Sequence, residues 1–298
     1  MCSNMQTIET STSALDSSRR SGIVQLFVSN RRAQVGFGII IIFTALAFAA
    51  PIVSPYSPYA FPAPGRPYAP PGREFLLGTD YLGEDVFSEI IYGARISMLV
   101  GLIVAILSTG FGTLIGVLAG YYGKAVDEGL MRATDIVLIL PPLPLMIILA
   151  AYLGPSLETV IFVLTVTTWP LVARVVRSQT LSLKERPFTD SARVAGASDF
   201  RIVTKLLIPN LATIIAANAV LMVTTAIVGE ASLDFIGLGD ITVVSWGTML
   251  YWAQSYAIFN GAWWWVLAPG ICIVLVGLGF VLISVSIEDV FNPRLRSL

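Results

Sequence analysis

Apolar residues do not alternate along this chain; they arrive in blocks of about 20, the length at which a helix crosses the hydrocarbon of a bilayer. Six blocks meet the hydropathy criterion for membrane helices: about 35–54, 96–119, 133–152, 157–176, 209–229 and 263–286. Helices satisfy their own backbone groups in lipid, so the pattern predicts an all-α polytopic membrane protein with about six transmembrane helices. Between the blocks lie a Pro-rich segment at 55–95, a charged loop near 184–209 and a polar, aromatic, Gly-rich stretch at 230–262. The division expected is a tail at 1–34, a first helix at 35–54, the 55–95 segment, a transmembrane core at 96–287 and a tail at 288–298. Residues 1–18 have the composition of a disordered segment. No small-residue cleavage site follows the first block, which is expected to stay as an anchor.

Charge orients the blocks. With the N-terminus in the cytoplasm, inside segments hold Arg19, Arg20, Arg31, Arg32, Lys124, Arg132, Arg174, Arg177, Lys184, Arg186, Arg193, Arg201, Lys205, Arg294 and Arg296, while outside segments hold Arg66, Arg73 and Arg95. Lys and Arg favour the cytoplasmic side, which places both termini inside and Trp263, Trp264 and Trp265 in the outer aromatic belt.

Composition then removes function classes. The chain of 298 residues is 55% hydrophobic and only 12% charged, with a mean hydropathy of +0.79; a soluble domain carries about 25% charged residues. A net charge of −1 without a basic patch gives no reason to expect nucleic acid. The absence of histidine removes the commonest metal ligand and general base. Cys2 and Cys272 lie near opposite ends and suggest neither a disulfide framework nor a metal site. No nucleophile–base pair stands within the blocks, so an intramembrane enzyme is not expected.

Energy has to be sought elsewhere too. Ion-coupled carriers place ionisable side chains near the midplane, whereas Asp135, Glu158 and Glu230 fall near predicted span ends, where interfacial solvation explains them. The nearest approach to a phosphate-cradling loop is Gly123-Lys124, but Leu118 and Ala125 occupy the required Gly and Ser/Thr positions. Pro141, Pro142 and Pro144 in the third block and Pro170 in the fourth would kink helices and could shape a cavity, although proline is also well tolerated in membrane helices. Thr165, Thr167, Thr168, Asn218, Thr224 and Thr225 could line a polar path or cross-link helices; no substrate site follows.

The largest inside loop contains DSARVAGASDFRIVTKLLIPN at 190–210. Phe188, Ala192 and Ala195 share one helical face, Gly196 permits a sharp corner, Ser198 or Asp199 can cap a second helix, and Pro209 limits its entry to the membrane. The expected product is a short surface helix, a corner and a rising helix, in keeping either with an ordinary interfacial connector or with a lever. Asp190-Ser191-Ala192, then Gly196, then Leu206, Ile208 and Pro209 resembles the EAA–G–I–LP loop of ABC-transporter permeases, with Asp190 and Ser191 standing for the family's Glu and Ala.

Other motifs follow in the family's order. LLGTDYLGEDVFSEIIYGARISMLVG at 76–101 resembles the LGTD–GRD–S-R–YGAR signature of the C-type permease in the peptide/nickel class, on Gly78, Thr79, Asp80, Gly83, Asp85 and Arg95. It departs at Glu84 and Glu89, where the family has Arg, and at Leu76, where it has His. GYYGKAVDEGLMRATDIVLILP at 120–141, GEASLDFIGLGD at 229–240, SWGTML at 245–250 and NPRLR at 292–296 complete the resemblance.

That resemblance implies a type I ABC importer permease fold and a subunit in the cytoplasmic membrane that binds no cofactor itself. ATP and Mg would be held by two partner ATP-binding subunits, which dock on the coupling loop. A second homologous permease and an extracytoplasmic solute-binding protein complete the implied assembly. The implied cargo is di- or oligopeptides, with oligosaccharides and then nickel as alternatives. A passive channel or secondary carrier is the reading of a different class, and would work without ATPase.

Overall fold

The computed structural model describes residues 30–59 and 63–291. The expected tails, with Arg294, Arg296 and the NPRLR stretch, lie largely outside these residues.

Asn30 starts α1 (Arg31–Val53) by accepting a hydrogen bond from the Arg32 amide at 2.9 Å. Helix α2 (Val86–Tyr122) runs for 37 residues and begins ten residues before the expected span. Asp85 is the reason: its carboxylate accepts from the Ser88 amide at 3.0 Å and the Ser88 hydroxyl at 2.6 Å, a strong N-cap within a stretch whose polar residues read as loop. Along α2, Gly112, Gly116 and Gly120 face α5 (Leu157–Lys184). A Cβ at these positions would lie 2.6–2.7 Å from the Trp169 and Ala173 carbonyl oxygens and the Thr180 Cβ. Small residues at this spacing let two helices approach backbone to backbone, and the Ser108 and Thr168 hydroxyls bond across the seam at 2.7 Å.

The third apolar block is not one straight span. It divides into α3 (Lys124–Ile139) and α4 (Pro142–Leu153), inclined by 88°. Leu140 precedes a proline and is extended (ψ 132°), as is Pro141 (ψ 127°), while Pro142 begins the new helix. The prolines therefore break this block, whereas Pro170 is accommodated within α5.

After α5 come the short α6 (Pro187–Val194) and α7 (Asp199–Ile202), a π-helical segment at Val203–Leu207, and α8 (Ile208–Phe235). The stretch at 230–262 contains an additional helix, α9 (Trp246–Asn260), opened by a capping box between Ser245 and Thr248. Helix α10 (Trp263–Phe291) closes the described chain. Helix α2 packs on α5 and α8, and α10 on α8 and α1.

Among the described residues, five helices are long and apolar enough to cross a bilayer, or six if the bent α3–α4 pair counts as one span. One core gathers Trp246, Trp265, Ile227 and Leu211; a second gathers Val100, Val163 and Leu164 between α2, α5 and α8. Large apolar side chains such as Phe48, Ile52 and Ile148 remain exposed, as lipid-facing helices require. Among the described residues, the only strand-like pairing is a single bridge between Thr79 and Asp85.

Candidate functional site

Two polar regions stand at opposite ends of α2. The first is the loop at 184–209. Pro187 opens α6, where a missing amide costs nothing. The inward residue of α6 is Thr189, fully buried, whose hydroxyl donates to the Leu183 carbonyl at 3.0 Å. Ala192, one turn on, is half-buried. The stripe expected from Phe188 and Ala195 is thus displaced: both are exposed, because an eight-residue helix held at one end rests on Thr189 and Ala192.

At the corner, the Ala197 amide donates to Ala192 O at 3.0 Å and the Gly196 amide to Arg193 O at 2.9 Å. These two bonds form a Schellman motif, and Gly196 supplies its left-handed residue at φ +80°. Of the two possible caps for the next helix, Ser198 takes the role, accepting from the Arg201 amide at 3.4 Å. Asp199 instead accepts from the Tyr121 hydroxyl at 2.6 Å, joining the corner to the end of α2.

The π-helical segment at Val203–Leu207 ends two residues before Pro209, which has no amide to complete a regular turn. Sequence reading anticipated the corner, not this widened turn. Asp190, Ser191, Gly196 and Pro209 are exposed; Leu206 is half-buried and Ile208 is 38% exposed. The Asp190–Arg193 pair, at 3.2 Å, is open to solvent.

Charged groups brace the helices behind this loop. Arg177 grips Asp127 with two nitrogens, at 2.5 and 2.6 Å, and Arg174 meets Asp135 at 2.5 Å; both pairs tie α5 to α3. Arg193 and Lys184 lie over the Tyr121 ring at 5.8 and 5.9 Å. The bidentate geometry at Arg177 makes it the best-defined of these contacts.

The second region is a knot formed by residues 63–85. Thr79 donates its hydroxyl to Arg66 O and accepts from the Ala69 amide, both at 2.7 Å. Asp80 Oδ1 accepts from the Leu82 and Glu84 amides at 2.9 and 2.7 Å. The Gly65 amide reaches Gly83 O at 3.0 Å, and Trp264 donates its indole N–H to Thr79 O at 3.2 Å. Tyr81 stacks on Tyr256, Trp265 and Trp252, with ring centroids 4.8, 5.5 and 5.6 Å away.

Gly78, Thr79, Asp80, Gly83 and Asp85 thus share one structure, while Arg95 stands exposed further along α2. Burial pushes the Asp80 carboxyl up to about 6, against the pull of its backbone donors. Burial and the neighbouring Asp80 charge push Glu84 up to about 7. Tyr81 rises to about 12 through burial and the negative charge of Asp80 and Glu84.

Residues 112–297 match the family of binding-protein-dependent transport system inner membrane components. The chain belongs to that family. Residues 19–71 of the permease match the N-terminal transmembrane domain of oligopeptide transport permease C. It is 38% identical over 269 residues to the dipeptide transport system permease protein DppC of Alkalihalophilus pseudofirmus, covering 90% of this chain and 88% of that one. Identity to the DppC protein of Bacillus subtilis is 35% over 268 residues, 90% and 83% of the two chains. Identity to the di/tripeptide transport system permease protein DppC of Pseudomonas aeruginosa is 34% over 280 residues, 92% and 91%.

Among solved structures, the inward-facing MetNI methionine ABC transporter superposes with a TM-score of 0.56 at 19% identity, over 69% of this chain and 98% of that one. The permease therefore has the type I ABC importer permease fold, is a multi-pass membrane protein and acts as a transport subunit.

Glu230, expected at a solvated span end, is instead enclosed by the fold. Glu230 is 1% exposed and accepts from the Ser97 hydroxyl at 3.2 and 3.3 Å. One turn on, Asp234 accepts from the Ser245 hydroxyl at 2.7 Å, tying α8 to the cap of α9. A signal existed in GEASLD, whose two carboxylates stand four residues apart and so on one helical face. The candidate path residues divide as well. Thr224 bonds to a neighbouring helix and Thr168 both to Ser108 and to its own helix at Leu164 O, while Thr167, Asn218 and Thr225 bond to their own helix backbone.

Proposed function

We propose that the permease carries di- or oligopeptides inward across the cytoplasmic membrane, driven by separate ATPase subunits that grip the loop at 190–209. Two ATP-binding subunits hold ATP and Mg; this chain binds no cofactor. A second homologous permease and an extracytoplasmic binding protein complete the importer. Both termini lie in the cytoplasm, with the coupling loop on the same side and the 63–85 knot outside.

The observation that carries this reading is the surface around the bend. Val194 is 90% exposed and Phe200 78% exposed on either side of Gly196. Asp190, Arg193, Arg201 and Lys205, their neighbours along the chain, are exposed as well, which is incompatible with burial in hydrocarbon. Apolar side chains presented beside charged ones suit a protein partner. Closure of the ATPases would press on α6, and the Schellman corner and Ser198 cap would pass that movement to α8. The Tyr121–Asp199 bond would pass it to α2. Rigid elements displaced about an interface make an inward- to outward-facing switch. The DppC relatives, named for dipeptides and di/tripeptides, support peptide as the cargo.

The test is uptake of labelled dipeptide by proteoliposomes containing the chain with its ATPase, second permease and binding protein. Uptake should require ATP and should fall at least tenfold in Val194→Glu, while the purified variant keeps its thermal midpoint. ATP-independent uptake would overturn the coupled reading. Uptake of an oligosaccharide or nickel in place of peptide would overturn the cargo.

A further inference from the structure

The loop at 184–209 acts on the membrane helices through the contacts that leave it. Two apolar residues of the rising arm, Ile202 and Leu207, are fully buried in the core that also holds Tyr121, Val117 and Val176. Such packing is non-directional, whereas a hydrogen bond fixes a length and an angle. Among the described residues, the side chains of 195–207 make one hydrogen bond outside the loop. Asp199 Oδ1 accepts from the Tyr121 hydroxyl at 2.6 Å, across 78 residues of sequence.

Tyr121 gathers more than this bond. It is the penultimate residue of α2 and is 4% exposed. Lys184, the last residue of α5, places Nζ 5.9 Å from the ring centroid, and Arg193 of α6 places its guanidinium carbon at 5.8 Å. Both fall within the range at which an aromatic face attracts a cation. One side chain of α2 therefore meets α5, α6 and α7. The backbone at this level is constrained as well. A Cβ on the neighbouring Gly120 would lie 2.7 Å from the Thr180 Cβ, so α2 lies directly on α5 here.

Asp199 is spared the task expected of a residue at a helix start. Ser198 takes the capping role, which leaves the Asp199 carboxylate to a short, charge-assisted bond with Tyr121. The covalent route from the corner to α8 is of a different kind. It passes through the π-helical turn at Val203–Leu207 and then Pro209, an interruption of the helix ladder at which helices bend.

We propose that Tyr121 is the positioning residue that makes closure of the ATPases productive. Its hydroxyl holds α7 and its ring seats α5 and α6. A push on the loop then displaces α2 and α5 together instead of being absorbed as a bend at Val203–Leu207. The proposal rests on the ATP-driven reading above and adds to it the group that sets how much ATP is hydrolysed per peptide carried.

The test uses the complete importer in proteoliposomes, with ATP hydrolysis and labelled dipeptide uptake measured on one preparation. Tyr121→Phe removes the hydroxyl and keeps the ring. Asp199→Ala removes the acceptor at an exposed position and leaves the Ser198 cap in place, so it decides the matter if the first variant does not fold. Each should raise the ATP hydrolysed per dipeptide by about threefold or more. The ATPases should still co-purify, and the thermal midpoint should stay within about 3 °C of native. The double variant should be no worse than either single one, because both remove the same bond. Asp199→Asn keeps an acceptor oxygen and should give a ratio nearer native than Asp199→Ala does. Tyr122→Phe makes the same chemical change at the next ring, which is 49% exposed, and should keep the native ratio. ATP-driven uptake in the native importer with an unchanged ratio in both single variants overturns the proposal and leaves the coupled reading standing. A raised ratio found only together with a fallen midpoint in both, or an additive double variant, also overturns it. Uptake without ATP in the native importer overturns the coupled reading and the proposal together.

Discussion

Gly83 and Gly196 both have a positive φ, +91° and +80°, in very different surroundings. A Cβ on Gly83 would sit 2.2 Å from the Gly65 carbonyl oxygen; one on Gly196 would meet nothing within 4 Å. The knot around Gly83 is enclosed by hydrogen bonds, stacked aromatic rings and the α2 cap. The corner around Gly196 is held by its own helix-ending bonds and one tyrosine beneath it. The first region is determined from all sides, while the second is left open for something outside the chain.

The largest expected effect breaks the enclosed side. Gly83→Ala combines an unfavourable φ with a backbone collision, and should cost about 3 kcal/mol or more, read as a fall in thermal midpoint or loss of folded protein. Ser245→Ala removes the α9 cap and the Asp234 partner together, and should cost about 1–2 kcal/mol in the same assay. Gly196→Ala carries strain without collision, so about 1 kcal/mol is expected. If Gly196→Ala proves as damaging as Gly83→Ala in the isolated chain, the contrast between the regions fails. Asp190→Asn should change stability by less than about 0.5 kcal/mol, because its pair with Arg193 is open to solvent. An effect of that variant on ATPase-coupled uptake, without a change in midpoint, would sharpen the assignment of the loop to a partner.

The two regions were also unequally legible. At the corner, a glycine followed by a capping serine and a charged rising helix anticipates the bend, because these are properties of adjacent residues. The inward face of α6 was misjudged, since an apolar stripe marks burial only where a core lies beneath it; here Thr189 is the residue that finds one. The knot was recognised as a run of motif residues without a shape. Its bonds join Gly65 to Gly83 and Thr79 to Trp264, separations that no local pattern contains. Helix α9 was likewise read as a polar-aromatic stretch, because its residues face other parts of the protein on several sides and show little amphipathic contrast.

By itself, the sequence determined the all-helical membrane class, the number of apolar blocks, the break-prone prolines and the corner at Gly196. Each follows from hydropathy or backbone chemistry within one stretch of chain. Tertiary structure alone decided that Glu230 is buried against Ser97, that the third block bends by 88°, and that Asp80, Glu84 and Glu89 meet around one cleft. A carboxylate's surroundings depend on which helices pack over it, and those neighbours come from distant parts of the chain.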